Sequence, residues 1–313
     1  MEVLFFEPVY KDYIWGGTKL KEYFGKATTT DITAESWEIS TNTDGVSKIK
    51  GKNITLKELF DNKETREEIF GTKTKDMEKF PLLIKFIDAN SNLSVQVHPD
   101  DKYAKEYEAD TGKTEMWYII DCMPNSQIIC GMKENVKQEE VEDIIRNNKI
   151  KENLNYVDIK KGDSIYIPSG TIHAILGGAL ICEIQQNSNL TYRVYDWDRV
   201  GNDGKPRTLH IDKAIDVINV NANPKVEHEK QDECYRVCDS EFFKVDKVNI
   251  ENEYKDKSCK ESFYAINIVE GMGTIEYQNN ICNLKRGDSI IIPAYLGEYT
   301  IRGKIELLKS YVD

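Results

Sequence analysis

The sequence holds 313 residues, a length that at roughly 150 residues per domain favours two domains over one. Its 42 Lys and Arg face 54 Asp and Glu, a formal charge of −12. That balance excludes a general nucleic-acid binder, which needs a basic face to displace counterions, although a local basic pocket for one small phosphate is still allowed. With 40% hydrophobic and 31% charged residues the chain is globular rather than disordered, and its apolar runs fall far short of the roughly 20 residues of a membrane span.

No basic segment followed by a long apolar stretch opens the chain, so no secretory signal is expected. The seven scattered cysteines read as reduced thiols of a cytoplasmic protein. Cys234, Cys238 and His228 lie near one another in sequence, but structural zinc normally takes two closely spaced pairs, and this group is set aside. In chain order, the alternation predicts strands over 3–8 and 35–40, then a helix from the capping box Thr55-Leu-Lys-Glu58 to about residue 70. Strands follow over 82–88 and 93–98, a short helix over 100–108, and strands over 115–121 and 127–130. A helix over 138–147 carries Val141, Ile144 and Ile145 on one stripe, and another over 212–219 carries Ala214, Ile215 and Ile218. Between them lie strands over 164–167, 180–186 and 192–197, and after a turn-rich stretch at 221–224 strands resume at Phe242. Glu270-Gly-Met-Gly-Thr274 reads as a turn between strands, not a nucleotide loop. The whole is mainly β, a sandwich or barrel with a few helices decorating its first half.

One internal repeat sets the architecture. Ile159-Lys-Lys-Gly-Asp-Ser-Ile-Tyr-Ile-Pro168 matches Leu284-Lys-Arg-Gly-Asp-Ser-Ile-Ile-Ile-Pro293, an offset of 284 − 159 = 125. A Gly-Asp turn, an alternating strand and a proline stop seen twice at so long a period imply two copies of one β domain. The division expected is 1–222 and 223–313. At the same offset His173 corresponds to Glu298, so the second copy is expected to be degenerate and structural.

The first copy continues Gly162-x5-Pro168-x-Gly170-x2-His173, which resembles the second conserved motif of the cupin superfamily. The resemblance implies two cupin-type jelly-roll (double-stranded β-helix) domains, the first with one metal inside; the alternative is a core histidine at a strand turn. In Leu93-Ser-Val-Gln-Val-His98, strand periodicity puts Gln96 and His98 on one face. Glu115 shares a face with Trp117 and Ile119, where a carboxylate is costly unless paired or coordinated. Two imidazoles, one carboxylate and one amide oxygen suit Zn2+ with open positions, and Fe and Mn accept the same ligand types.

These segments carry a closer resemblance. Tyr13-Ile-Trp-Gly-Gly17, Leu83-Ile-Lys85-Phe, Leu93-Ser-Val-Gln-Val-His-Pro-Asp-Asp101, Gly112-Lys-Thr-Glu115, Pro168-Ser-Gly-Thr-Ile-His173 and Glu183-Ile-Gln-Gln-Asn-Ser-Asn-Leu-Thr-Tyr-Arg193-Val-Tyr-Asp-Trp-Asp-Arg199 follow one another in the order of type I mannose-6-phosphate isomerases of the short bacterial form. The resemblance implies one zinc, bound through Gln96, His98, Glu115 and His173, and interconversion of mannose 6-phosphate and fructose 6-phosphate. It makes Arg193 the active-site arginine and Glu183, expected on the strand adjacent to Arg193, a carboxylate proposed as the base. Because a guanidinium gives up its proton so reluctantly, Arg193 is assigned enediolate stabilisation and substrate positioning. Lys113 is expected on the face of Glu115 if that strand extends back far enough, and Lys85 sits in an apolar run; both resemble family residues near the substrate. His210 and His228 are read as structural or surface. The expected partner is a small sugar phosphate, with no nucleic acid or membrane, for a monomer or homodimer. The rivals are a metal-cupin of other chemistry, such as an Fe dioxygenase or another sugar-phosphate isomerase, and a non-catalytic sugar-binding cupin.

Overall fold

A computed structural model describes residues 1–201 and 204–313. Three antiparallel sheets dominate it. A seven-stranded sheet runs in the order Val226–Glu227, Ser164–Ile167, Glu115–Cys122, Ala179–Gln186, Leu82–Ala89, Glu35–Ile39, Val9–Lys11. A five-stranded sheet runs Tyr192–Tyr195, Val95–Val97, His173–Ile175, Gln127–Met132, Leu154–Asp158. These two sheets share one core, with Trp117, Ile119 and Ile181 of the first meeting Ile128, Cys130 and Ile175 of the second.

The central strands of the seven-stranded sheet are buried on both faces, and this explains their unbroken apolar sequences. Along Glu115–Cys122, Trp117 and Ile119 point into the shared core, whereas Met116, Tyr118 and Ile120 pack outwards against the C-terminal half. Alternation does the same along Ala179–Gln186 and Leu82–Ala89, with Leu180, Cys182, Ile184, Ile84 and Phe86 on the outward side. The inward positions on these strands are therefore Glu115, Glu183 and Lys85 among the apolar residues. Helices Val141–Arg146 and Ile211–Val217 cover the outer face of the five-stranded sheet through Ile144, Ile145 and Ala214.

The third sheet has nine strands, most of them from the C-terminal half. Sheet pairing crosses the expected 222/223 division in both directions. Leu4–Glu7 pairs with Ser289–Ile292, and Val226–Glu227 pairs with Ser164–Ile167. The first exchange covers the free edge of Ser289–Ile292 with an apolar strand that needs burial itself.

The repeat is reproduced in backbone detail. Gly162 and Gly287 have φ of 89° and 85°, the left-handed region in which glycine is favoured. Lys160 N donates to Asp163 Oδ2 and Lys285 N to Asp288 Oδ2, each at 2.9 Å. Register then identifies the counterparts of the first copy's polar residues. Ile167 faces Glu115 across the strand pair, and Ile292 faces Tyr264, so a tyrosine stands where the first copy has its carboxylate.

Several local expectations need correction. The helix over 55–70 is two helices, Leu56–Asp61 and Arg66–Phe70. The Asn62 side chain accepts from Glu64 N in a competing turn, and buried Arg66 donates to the Phe60 carbonyl at the break. Glu270–274 is no turn: it lies inside the long strand Tyr264–Tyr277, at a bulge where Gly271 has φ of 86°. Strands resume before Phe242, at Val226–Glu227 and Cys234–Asp239, and Lys19–Glu22 forms a short helix the periodicity does not announce. Cys234 is exposed, Cys238 is buried, and His228 pairs instead with Asp163.

Phe60, Phe70, Phe80 and Phe263 stack at centroid distances of 5.0–5.9 Å and join the N-terminal helices to the C-terminal half. Phe263 is fully buried, so Phe263→Ala should cost about 3–5 kcal/mol. Urea unfolding checks this; a loss below about 1 kcal/mol would mean that the cluster does not bind the halves together.

Candidate metal centre and its cavity

Strand register assembles the site in rows. On the five-stranded sheet Gln96 lies opposite both His173 and Arg193, which places these three side by side. On the seven-stranded sheet Lys85 lies opposite both Trp37 and Glu183, and Glu183 opposite Trp117. His98 falls one residue beyond the Val95–Val97 strand on the Gln96 side, and its carbonyl accepts from Gly170 N at 2.8 Å, locking the loop before His173 against it.

His98, Glu115 and His173 converge, with their ligand atoms all within 4.8 Å of one another and all three side chains buried. His98 Nδ1 donates to the Leu190 carbonyl at 2.7 Å, and His173 Nδ1 to the Thr171 carbonyl at 2.9 Å. These bonds fix the tautomers so that both Nε2 lone pairs face Glu115, at 3.5 and 3.4 Å. Glu115 Oε1 is buried without a hydrogen bond. Gln96 Nε2 stands 3.4 Å from His173 Nε2; the other end of this amide has the same shape and, turned inward, offers a carbonyl oxygen to the cluster. The ammonium of Lys113, buried just before the strand starts, donates to His98 Nε2 at 2.9 Å and to Glu115. Glu115 opens the strand, so Lys113 reaches the cluster from the irregular segment just before it.

The protonation states suit metal binding. Burial, reinforced by Lys113, lowers His98 to about 3 and burial lowers His173 as well, so both imidazoles are neutral. Burial alone would raise Glu115, but the Lys113 charge against it reverses this and holds it well below the ordinary carboxylate range. Two neutral imidazoles and an ionised carboxylate with an unpartnered oxygen fit a divalent ion.

Above the cluster opens a cavity of about 300 Å³, lined by Lys85, Gln96, Lys113, Glu183, Arg193 and Arg207 among others. A wider groove of about 1160 Å³ lies on the C-terminal half beside Asn249 and Glu306, but it holds none of these histidines and volume alone does not make it the site. Glu183 receives Trp117 Nε1 at 3.2 Å and pairs with Lys85 at 3.2 Å. Lys85 also faces Glu35 at 3.7 Å, and these carboxylates hold it protonated against the effect of burial. Burial and the Glu115 charge raise Glu183.

The expectation that Glu183 precedes Arg193 on an adjacent strand is wrong. Glu183 belongs to the seven-stranded sheet and Arg193 to the five-stranded one, and both line the cavity between the sheets. His210 has the structural place read for it: its Nδ1 accepts from Arg193 N at 3.1 Å and supports that strand. Two charged cavity residues escaped the sequence reading. Glu35 had a usable signal, a carboxylate two residues from Trp37 on one strand face; Arg207, in an irregular segment, had none.

A β-barrel half with two buried imidazoles and a carboxylate converging inside, followed by a second copy lacking them, defines a cupin protein with a metal centre in its first half. The sequence matches the family of phosphomannose isomerase type I catalytic domains over residues 3–135 and that of mannose-6-phosphate isomerase cupin domains over 234–312. It is 40% identical to mannose-6-phosphate isomerase ManA of Bacillus subtilis over 99% of both chains, and 41% identical to the probable mannose-6-phosphate isomerase GmuF of the same organism over 98% of both. The crystal structure of a Bacillus subtilis mannose 6-phosphate isomerase superposes with a TM-score of 0.91 at 38% identity, covering both chains fully. The chain belongs to the type I phosphomannose isomerase family and is an isomerase.

Proposed function

We propose that this enzyme interconverts mannose 6-phosphate and fructose 6-phosphate through an enediol, with Zn2+ held by His98, Glu115, His173 and the Gln96 amide. The observation that carries the metal reading is the convergence of two tautomer-fixed, neutral imidazoles on an unpartnered buried Glu115 oxygen. When bound, the ion acts as a Lewis acid that favours negative charge on the sugar oxygens. The residues around it divide the remaining work. Glu183, aimed into the cavity, takes the proton from the carbon next to the carbonyl and returns it to the neighbouring carbon. Burial and the neighbouring Glu115 charge raise Glu183, whereas Lys85 and Lys113 beside it favour the ionised form in which it acts as a base. Lys85 positions Glu183 and the sugar hydroxyls, and Lys113 and Arg193 stabilise the enediolate oxygens.

The enzyme's seven free cysteines fit a reducing cytoplasm, and no helix among the described residues is long and apolar enough to cross a membrane. The reading is tested by metal analysis combined with a coupled fructose 6-phosphate assay. Turnover in deuterium oxide should bring some deuterium onto the carbon that receives the returning proton, because the proton on Glu183 can exchange with solvent before it returns. Failure to form fructose 6-phosphate, or an enzyme active only with iron and dioxygen, would overturn it. Glu298, in the second copy, is exposed and stands where His173 stands in the first. Glu298→Ala should therefore leave turnover and metal content near wild type; a second equivalent of metal dependent on Glu298 would show that the copy still binds one.

A further inference from the structure

Arg193 stands on an edge strand, and a side chain completes the hydrogen bonding of its backbone. Tyr192–Tyr195 ends the five-stranded sheet, with Val95–Val97 on one side and no strand on the other among the described residues. Antiparallel pairing turns the main-chain groups of alternate residues outward, and at an edge these need other partners. At Arg193 both groups go to His210. The backbone N–H of His210 donates to the Arg193 carbonyl at 2.8 Å, and its imidazole Nδ1 accepts from Arg193 N at 3.1 Å. The carbonyl of Thr208 accepts from Arg193 Nη1 at 2.8 Å. Segment 208–210 therefore holds the arginine by its backbone and by its guanidinium, although it forms no strand itself.

A main-chain carbonyl in the place of this imidazole would accept at every pH. Nδ1 accepts only while the ring is neutral with its proton on Nε2, and a second proton turns the acceptor into a donor aimed at another donor. The side chain is diverted from another use: His210 precedes helix Ile211–Val217, yet makes no capping bond to it. Its surroundings favour the neutral ring. Partial burial and the charges of Arg193 and Lys213 lower its pKa from the ordinary 6.5, against an opposing pull from Glu108. Glu108 is already engaged by the Tyr192 hydroxyl at 2.6 Å and by Lys213 Nζ at 2.7 Å, and the Tyr192 ring stands 6.3 Å from the imidazole. A lowered value means that the bond is complete above pH 6.5 and is lost as pH falls through the folded-state pKa.

We propose that His210 is a positioning residue for Arg193: its neutral ring holds the arginine in register against Gln96, and its protonation releases that hold, so that a residue away from the cavity wall limits turnover on the acid side. This rests on the reading of Arg193 as the arginine that stabilises the enediolate.

The test compares metal-loaded wild type, His210→Ala and His210→Asn between about pH 8 and about pH 5, with metal content measured throughout. Asparagine places an amide oxygen close to the position of Nδ1, an acceptor that does not titrate. At about pH 8, His210→Ala is expected to lower kcat about 3- to 10-fold, the effect of one hydrogen bond, with KM changing less and the metal retained. His210→Asn should recover most of that loss. The ratio of its kcat to that of wild type should then rise as pH falls below 6.5, because ionisations of Glu183 and of the metal ligands are common to both enzymes and cancel. If the alanine variant does not fold, this ratio alone carries the test. A ratio that stays flat to about pH 5, or alanine and asparagine variants of equal kcat, overturns the proposal. Arg193→Ala separates it from the reading beneath it, since in that background His210→Ala should lower kcat no further. Turnover indifferent to Arg193 overturns the role of the arginine, whereas turnover that needs Arg193 but not His210 overturns the positioning alone.

Discussion

Replacing His173 with alanine is expected to release the metal and reduce turnover by about 10³-fold or more, and His98→Ala should do the same. The magnitude follows from the loss of a Lewis acid worth several kcal/mol in the transition state. The structure adds a reason why the loss should be severe. His98 and His173 each spend Nδ1 on a backbone carbonyl, so neither can turn to compensate for the other. The Lys113 ammonium already lies against His98 and Glu115, and in a site with one imidazole missing it is well placed to compete with a weakly held ion. Metal analysis after dialysis, alongside the coupled assay, checks both quantities. Retained metal with normal turnover in both variants would remove these histidines from the site.

Arg193→Ala should retain the metal and lower kcat by about 10²–10³-fold, the usual consequence of losing one donor that acts on developing negative charge. Its interaction strengthens as the enediolate forms, so kcat should fall more than KM rises. The geometry supports this role: Arg193 neighbours Gln96 in the sheet, its Nε is buried without a hydrogen bond, and its Nη1 is steadied by the Thr208 carbonyl at 2.8 Å. Burial and the Arg207 charge lower its pKa, which makes an anionic partner more favourable still. Arg193→Lys keeps the charge but loses the planar fork and should recover only part of the rate. A sharp rise in KM with kcat unchanged would instead make Arg193 a uniform binder and shift the electrostatic task to Lys113.

What the sequence could determine was whatever depends on position along one element. Period two along Val95–Val97 and Glu115–Cys122 was enough to put Gln96 beside His98 and to flag Glu115 as a carboxylate in an apolar row. The 125-residue repeat announced the duplicated turn and the missing histidine of the second copy, because Gly-Asp turns and strand stops are local chemistry. Tertiary structure decided everything that passes between elements. Glu183 and Arg193 are ten residues apart in sequence yet belong to facing sheets, and nothing in their alternation says which sheet each strand joins. Leu4–Glu7 reads as a strand, but its partner Ser289–Ile292 lies at the other end of the chain and is selected by the need to cover an open edge. Lys113 reaches the histidines from an irregular segment before its strand, and Arg207 reaches the cavity from an irregular loop in which Asp196 accepts from it. Side chains in such segments carry no periodic signal, so only long-range hydrogen bonds and the packing of one sheet against another place them.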